Sequence, residues 1–453
     1  AAMSLFEALL HADASRDRDR LRLGLMRSIA GDNAGAIVVL AAGVAGVDWA
    51  NADDAGNAIR GDMLEALVRA RIAAGDQGDG FERDLVALRQ VRPSSSIASE
   101  AALLVAIAAG DVEGSATAAT ALGLDRAALI AKLVEDAGAL SPEAATSQLT
   151  LAAQLEDDPA RKAALAGLAL ASAATGTDAA LIAAAAERAA DWANAAGDTQ
   201  AALIALAMLV EATEGDAHRA ALVRRLDAAS AAMAYDQGFS GAIELLALEL
   251  DADLGIEGAV AAVASTARRI IEFAVAMGDA EAGIQLVADY AAARIEGDAR
   301  PIGHALVAVA AEAALREGVG REGAGLALTQ WLGDGTADAP AGDTADWTMA
   351  ERLASESNDW SAAVDALQAQ AAFAAGDVAT DLLIRAAGLA EGAAKDFPRA
   401  AHLWTLALNA RPSSLTAWTG RLSSLRSAGD LDALAAAIDA MLAAPIADLE
   451  LVC

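Results

Sequence analysis

A Gly-Asp pair, or a close substitute, punctuates this chain between apolar stretches. It stands at Gly31-Asp32, Gly75-Asp76, Gly110-Asp111, Gly197-Asp198, Gly215-Asp216, Gly278-Asp279, Gly297-Asp298, Gly376-Asp377 and Gly429-Asp430, with Asn358-Asp359 and Lys395-Asp396 in equivalent places. Glycine adopts the left-handed conformation that closes a helix, and aspartate caps the orphan amides of the next one. Each pair therefore reads as a helix–turn–helix joint. Gly197 to Gly215, Gly278 to Gly297, Asn358 to Gly376 and Gly376 to Lys395 are 18 or 19 residues apart. That spacing predicts helices of roughly 14–16 residues joined by tight turns, with neighbours antiparallel.

Two such helices form a unit that repeats. A small or apolar residue early in the second helix recurs at Ala163, Ala202, Ala242, Gly283, Ala324, Ala363, Ala400 and Leu434, with gaps of 39, 40, 41, 41, 39, 37 and 34 residues. A period in this range marks a helical-hairpin solenoid, in which a hairpin too small to bury its own apolar face is covered by its neighbours. The 453-residue length then belongs to an array of about ten hairpins rather than to several unrelated domains. About 130 alanines suit close helix crossings, while 3% aromatics and 8 Pro weigh against an all-β fold. Three segments are expected: irregular helical repeats over 1–150, hairpin repeats of about 40 residues over 151–345, and a distinct C-terminal type over 346–453.

Within 381–414, Gly388 occupies a small position, Lys395-Asp396-Phe397 the turn, Ala400, Trp404 and Ala407 the second helix, and Pro412 the close. Trp418 and Gly429-Asp430 continue the pattern, and Asn358-Asp359-Trp360 with Ala363 begins it. These residues make the last hundred positions resemble the tetratricopeptide repeat. Ile384, Ala387 and Glu391 depart from its pattern, as do Arg421, Leu422 and Leu434. The longer spacing upstream equally fits a Sel1-like or HEAT-like variant. The resemblance implies an all-α superhelix whose first helices line a concave groove. It places Arg385, Leu389, Thr419, Ser423 and Arg426 on that groove as partner-binding residues. Two arginines on one stripe suit a carboxylate or an acidic peptide, although solvated arginines on an exposed face are the plainer alternative.

Other candidates for chemistry are weaker. Gly318-Val319-Gly320-Arg321-Glu322-Gly323 has the spacing of a dinucleotide fingerprint, but 306–316 before it reads as an Ala-rich helix where that motif needs a strand. A hairpin turn is the better reading. The segment 333–346 carries Asp334, Asp338, Asp343 and Asp346 without the spacing of a calcium loop. It reads as a solvated inter-repeat loop, with a metal-dependent regulator or enzyme kept as an alternative function. His11, His218, His304 and His402 are dispersed and read as ordinary helix positions, and Ser94-Ser95-Ser96 after Pro93 reads as a turn with a helix N-cap. Trp360, Trp404 and Trp418 are expected in the core, while Trp49, Trp192, Trp331 and Trp347 beside turns are expected to be partly exposed. No catalytic residue, cofactor or metal ligand is assigned.

The formal charge of −32, with 64 acidic and 32 basic residues, disfavours a net-basic nucleic-acid binder. Only three of the basic residues are Lys (Lys132, Lys162, Lys395), so compositional bias explains part of the acidity, and attraction of a basic partner is the other account. The mean hydropathy of +0.36 comes from alanine, not from runs long enough to span a bilayer. Ala1-Ala2 before Met3 reads as a scar ahead of an internal start, and the expected compartment is the cytoplasm, with an upstream signal or anchor left open. The expected function is a non-enzymatic scaffold for protein or peptide partners, without nucleic acid or membrane insertion. The alternative is a structural subunit stacking through an uncapped end, because 446–453 begins another apolar stretch.

Overall fold

A computed structural model of the chain describes residues 2–45, 54–76, 78–251, 256–294, 299–332 and 342–444. Every regular element among them is helical: 24 α-helices and one π-helical turn. The chain divides into two compact units, Ala1–Ala221 and Leu222–Cys453.

The first unit opens with α1 (Ala2–Ala12), α2 (Asp17–Ile29), α3 (Asn33–Val44) and α4 (Asp54–Ala74). It continues through α5 (Asp79–Val91), α6 (Ser96–Ala109), α7 (Val112–Ala121), α8 (Arg126–Ala137) and α9 (Pro142–Leu155). It closes with α10 (Pro159–Ala173), α11 (Ala179–Ala196), α12 (Thr199–Glu211) and the start of α13 (Gly215–Ala231). Successive helices from α1 to α12 pack on one another, most extensively from α9 to α12. The alternation slips once, where α9 touches α6 and α7 directly as well as α8.

The second unit takes in the rest of α13, then α14 (Tyr235–Asp251), α15 (Ile256–Met277), α16 (Ala280–Ala292), α17 (Arg300–Glu317) and α18 (Arg321–Leu332). Its last part is α19 (Thr344–Glu356), α20 (Trp360–Phe373), α21 (Gly376–Leu389), a π turn (Ala390–Ala394), α22 (Phe397–Ala410), α23 (Leu415–Ala428) and α24 (Leu431–Leu442). Each unit is a run of stacked helical hairpins, so the fold is an all-α solenoid.

The joints are built as the Gly-Asp pairs dictate. Gly110 and Gly429 close their helices at φ 67° and 75°, and Asn358 and Lys395 take the same left-handed conformation at 60° and 57°. Asp32, Asp111, Asp198, Asp359, Asp396 and Asp430 each cap the following helix by accepting a backbone N–H. Two joints differ. Gly215 and Gly376 are the first residues of α13 and α21 rather than the ends of α12 and α20. Their aspartates therefore sit inside the first turn, where Asp216 pairs with Arg219 and Asp377 with Arg411. Asp279 precedes α16 without a side-chain cap bond, and Gly297-Asp298 lies outside the described residues.

The small-residue series marks every second helix from α10 to α24. Ala202, Ala242, Ala324, Ala363 and Ala400 have no exposed surface, and Gly283 is buried where an added Cβ would lie 2.4 Å from that of Ala274. Axes this close accept no larger side chain. Ala163 and Leu434, at the two ends of the series, are half-buried. Among the described residues, no helix is long and apolar enough to cross a membrane.

Candidate functional site

The C-terminal stripe predicted from the resemblance lies on α21 and α23. Arg385 donates from Nη2 to Glu351 Oε1 of α19 at 2.5 Å. Glu351 also accepts from Gln370 Nε2 of α20 at 2.9 Å, and the same amide reaches the Trp347 carbonyl at 3.1 Å. Ser423 donates to Glu391 Oε1 of the π turn at 2.6 Å, and Trp404 Nε1 donates to the other oxygen at 3.3 Å. Leu389 is half-buried against the cluster that holds Leu403, Trp404 and Leu408. Thr419 is exposed, its hydroxyl returned to the carbonyls of Leu415 and Thr416. Arg426 is exposed in the last turn of α23. Among the described residues, no hydrogen bond or ion pair joins any two of these five.

Several charges nearby tie neighbouring helices together. Arg399 of α22 pairs with Asp365 of α20. Arg411, just past α22, reaches Asp377 and Asp381 of α21 at 2.8 and 3.1 Å. The hydrogen bond that Arg411 donates to Asp377 raises its pKa above the ordinary value, and Asp381 adds to the effect.

Half of the acidic candidate set is on view. Asp334 and Asp338 lie outside the described residues. Asp343 caps α19 by accepting from the amides of Ala345 and Asp346 at 2.8 and 3.0 Å. Asp346 returns the bond to the Asp343 amide at 3.1 Å, completing a capping box, and its other oxygen meets His304 Nε2 at 2.8 Å. His304 stacks on Trp331 with ring centroids 4.0 Å apart, and the Trp331 indole donates to the Arg300 carbonyl at 3.3 Å. Among the described residues, no group of three or more His, Cys, Asp or Glu side chains could hold a metal ion. Trp331 and Trp347, expected to be partly exposed, are buried, because this network draws α17, α18 and α19 over them. Sequence reasoning missed the His304 contact, whose partners are 42 residues apart. Only the capping pair Asp343-x-x-Asp346 hinted at it. At Gly318, with φ 77°, α17 ends in a turn, and a helix stands where a dinucleotide site needs a strand.

A broad opening lies in the first unit. A groove of about 650 Å³ runs along α5, α6 and α7, within the range of ligand clefts. Leu85 and Arg89 of α5, Pro93 of the turn, and Ser99, Ala102 and Ala106 of α6 line one side. Asp111, Glu113 and Gly114 at the start of α7 line the other. Arg92 fixes the α5–α6 turn by reaching back to α4, donating to the Ala58 carbonyl at 3.1 Å and Asp62 at 2.7 Å and pairing with Glu65 at 3.1 Å. Burial works against the Arg92 charge, but the bond to Asp62 and the charges of Asp62 and Glu65 outweigh it, so its pKa is raised. Ser95 caps α6, as the serine run after Pro93 suggested. A second groove of about 330 Å³, between α8 and α10, is walled by Ile130, Leu165 and Leu168.

No protein-family model and no curated relative matches the chain. Among solved structures, the structure of Naa15/Naa10 bound to HypK-THB aligns over 96% of this chain at 14% identity, with a TM-score of 0.28. The chain spans 59% of the length of that protein. A circular tandem repeat protein with novel repeat topology and enhanced subunit contact surfaces aligns over 97% of this chain and 92% of its own, at 16% identity and a TM-score of 0.16.

Proposed function

We propose that this chain is a non-enzymatic interaction scaffold of the tetratricopeptide-like kind, holding protein or peptide partners against grooves between its helices. The supporting observation is the open cleft of about 650 Å³ set in an array where Arg92, Arg399 and Arg411 tie neighbouring helices together. The C-terminal stripe is read as a second contact surface. Thr419 and Arg426 face outward, Arg385 reaches a partner carboxylate by exchanging Glu351 for it, and Leu389 and Ser423 hold the floor.

Affinity capture with the full chain tests this reading. Partners recovered by the parent chain and lost by Arg385→Ala with Arg426→Glu assign the stripe. Equal recovery removes the stripe, and a parent chain that retains no partner above a same-size control removes the scaffold reading.

A structural subunit is the second reading, favoured by Leu431, Ile438 and Leu442 on α24, which are 71%, 44% and 61% exposed. The segment 446–453 on which the sequence based this idea lies outside the described residues. Light scattering across concentrations decides it, since a concentration-independent monomer is incompatible with stacking ends.

A further inference from the structure

The α5–α6 turn has a twin. Arg92-Pro93-Ser94-Ser95 recurs as Arg411-Pro412-Ser413-Ser414, 319 residues further on. The backbone repeats with it: Arg92 has φ −136° and ψ 77°, and Arg411 has φ −135° and ψ 79°. Ser95 and Ser414 cap helices of 14 residues each, which end at left-handed Gly110 and Gly429. Both arginines reach back 30 and 34 residues, to Asp62 and Ala58 in one case and to Asp381 and Asp377 in the other.

The side chains between the helices differ. Where the first module has Leu85, Arg89, Ser99 and Ala106, the second has Trp404, Leu408, Trp418 and Leu425. The four larger apolar residues are buried, and α22 and α23 pack along their length, whereas α5 and α6 meet where Leu85 and Leu88 pack on Ala98 and Ala101 and leave the groove beyond that contact. The Trp418 indole donates to the Pro412 carbonyl at 2.9 Å, and Arg421 lies 5.8 Å over its ring. In the open module the corresponding Pro93 lines the groove, and Ala102 stands in place of Arg421.

We propose that the α5–α7 groove receives, from a partner peptide, the aromatic–basic pair that the C-terminal module supplies from within itself: a tryptophan with an arginine one helical turn away. This rests on the scaffold reading and gives it a partner chemistry. The indole takes the space beside Ser99, with the Pro93 carbonyl as acceptor. The arginine meets Asp111 and Glu113, exposed carboxylates on the α7 lip of a chain carrying a formal charge of −32. Arg89, on the α5 lip, disfavours a second cation there and so orients the peptide. Desolvated aromatic anchors flanked by charge are the residues that carry binding energy at interfaces.

The probe is a labelled synthetic peptide with this chain's own sequence 411–428, which contains Trp418 and Arg421. Its binding to the full-length protein is read by fluorescence anisotropy. Saturable binding is expected, weakened at least tenfold by Trp418→Ala in the peptide, by Ser99→Trp in the protein and by raised salt. Ala106→Leu, which installs the residue the closed module carries, provides a milder block, and circular dichroism checks that both variants fold. No binding by the parent protein, or binding untouched by both blocking variants, overturns the proposal. A dimer of the parent chain that Ser99→Trp dissolves assigns the groove to a second copy and overturns it as well. Partner capture that survives Ser99→Trp while peptide binding fails leaves the scaffold reading standing and removes only this groove.

Discussion

The α4–α7 and α21–α24 modules share a turn, a cap, a left-handed close and an arginine tie, yet one is open and the other closed. Backbone devices fix where helices start and stop, and they work alike in both places. The volume of the inward-facing side chains decides how far along their length the helices then meet. In the closed module Ala401, Leu425 and Ala437 form a cluster bordered by Ala433 and Leu434. The counterpart of Leu425 in the open module is Ala106, which cannot bridge the same gap.

The largest effect expected from breaking this difference comes from Trp418→Ala. Removing a buried tryptophan costs about 3–5 kcal/mol, and here the loss falls on contact between α22 and α23. Hydrogen exchange of the α22–α24 amides is the suitable measurement, because repeat arrays do not unfold as one unit. A loss confined to this module is expected. A loss below about 1 kcal/mol would show that volume is not what closes the module.

The helix joints were largely legible because capping chemistry is local: Gly, Asn or Lys takes the left-handed position, and at Asp32, Asp111, Asp198, Asp359, Asp396 and Asp430 the Asp after it caps the next helix. The alternation of hairpins was legible because an alanine at each crossing is a steric requirement that repeats along the chain. The tetratricopeptide pattern pointed to Arg385 and Ser423 but not to Glu351 and Glu391, which hold them, since those partners sit 34 and 32 residues away. The groove was illegible for a different reason. An opening is made by what several side chains fail to fill, and Ser99 or Ala106 taken singly looks like any other small helical residue. Only the second copy of Arg-Pro-Ser-Ser supplies a measure of what is missing.

Gly110→Ala and Gly429→Ala test the shared half of the comparison. Both glycines have positive φ and no atom within 4 Å of an added Cβ, so the cost is that of left-handed backbone alone. Each should lose about 1–2 kcal/mol, equally in the two modules. A markedly larger loss at Gly429 would mean that the closed module strains its turn. Ser95→Ala and Ser414→Ala come next, at about 1 kcal/mol each. Their cap bonds are alike and long, 3.4 and 3.3 Å, so exchange protection in the first turns of α6 and α23 should fall by the same amount.

The arginine ties should separate the modules by the smallest margin. Arg411 meets Asp377 and Asp381, whose side chains are 90% and 66% exposed, so water and salt screen the pair. Arg92 meets Asp62 and Glu65, which are 51% and 28% exposed, and it also satisfies the Ala58 carbonyl. Arg92→Ala should therefore cost more than Arg411→Ala, though no more than about 1 kcal/mol, as expected of a largely solvated ion pair. Raising salt should erase most of the Arg411 effect while leaving part of the Arg92 effect, because the bond to a carbonyl does not depend on opposite charge. Exchange measurements on α4 and α21 at low and high salt decide it. If both effects vanish together, the Ala58 bond contributes nothing, and the open module is held at its turn by screened charge alone.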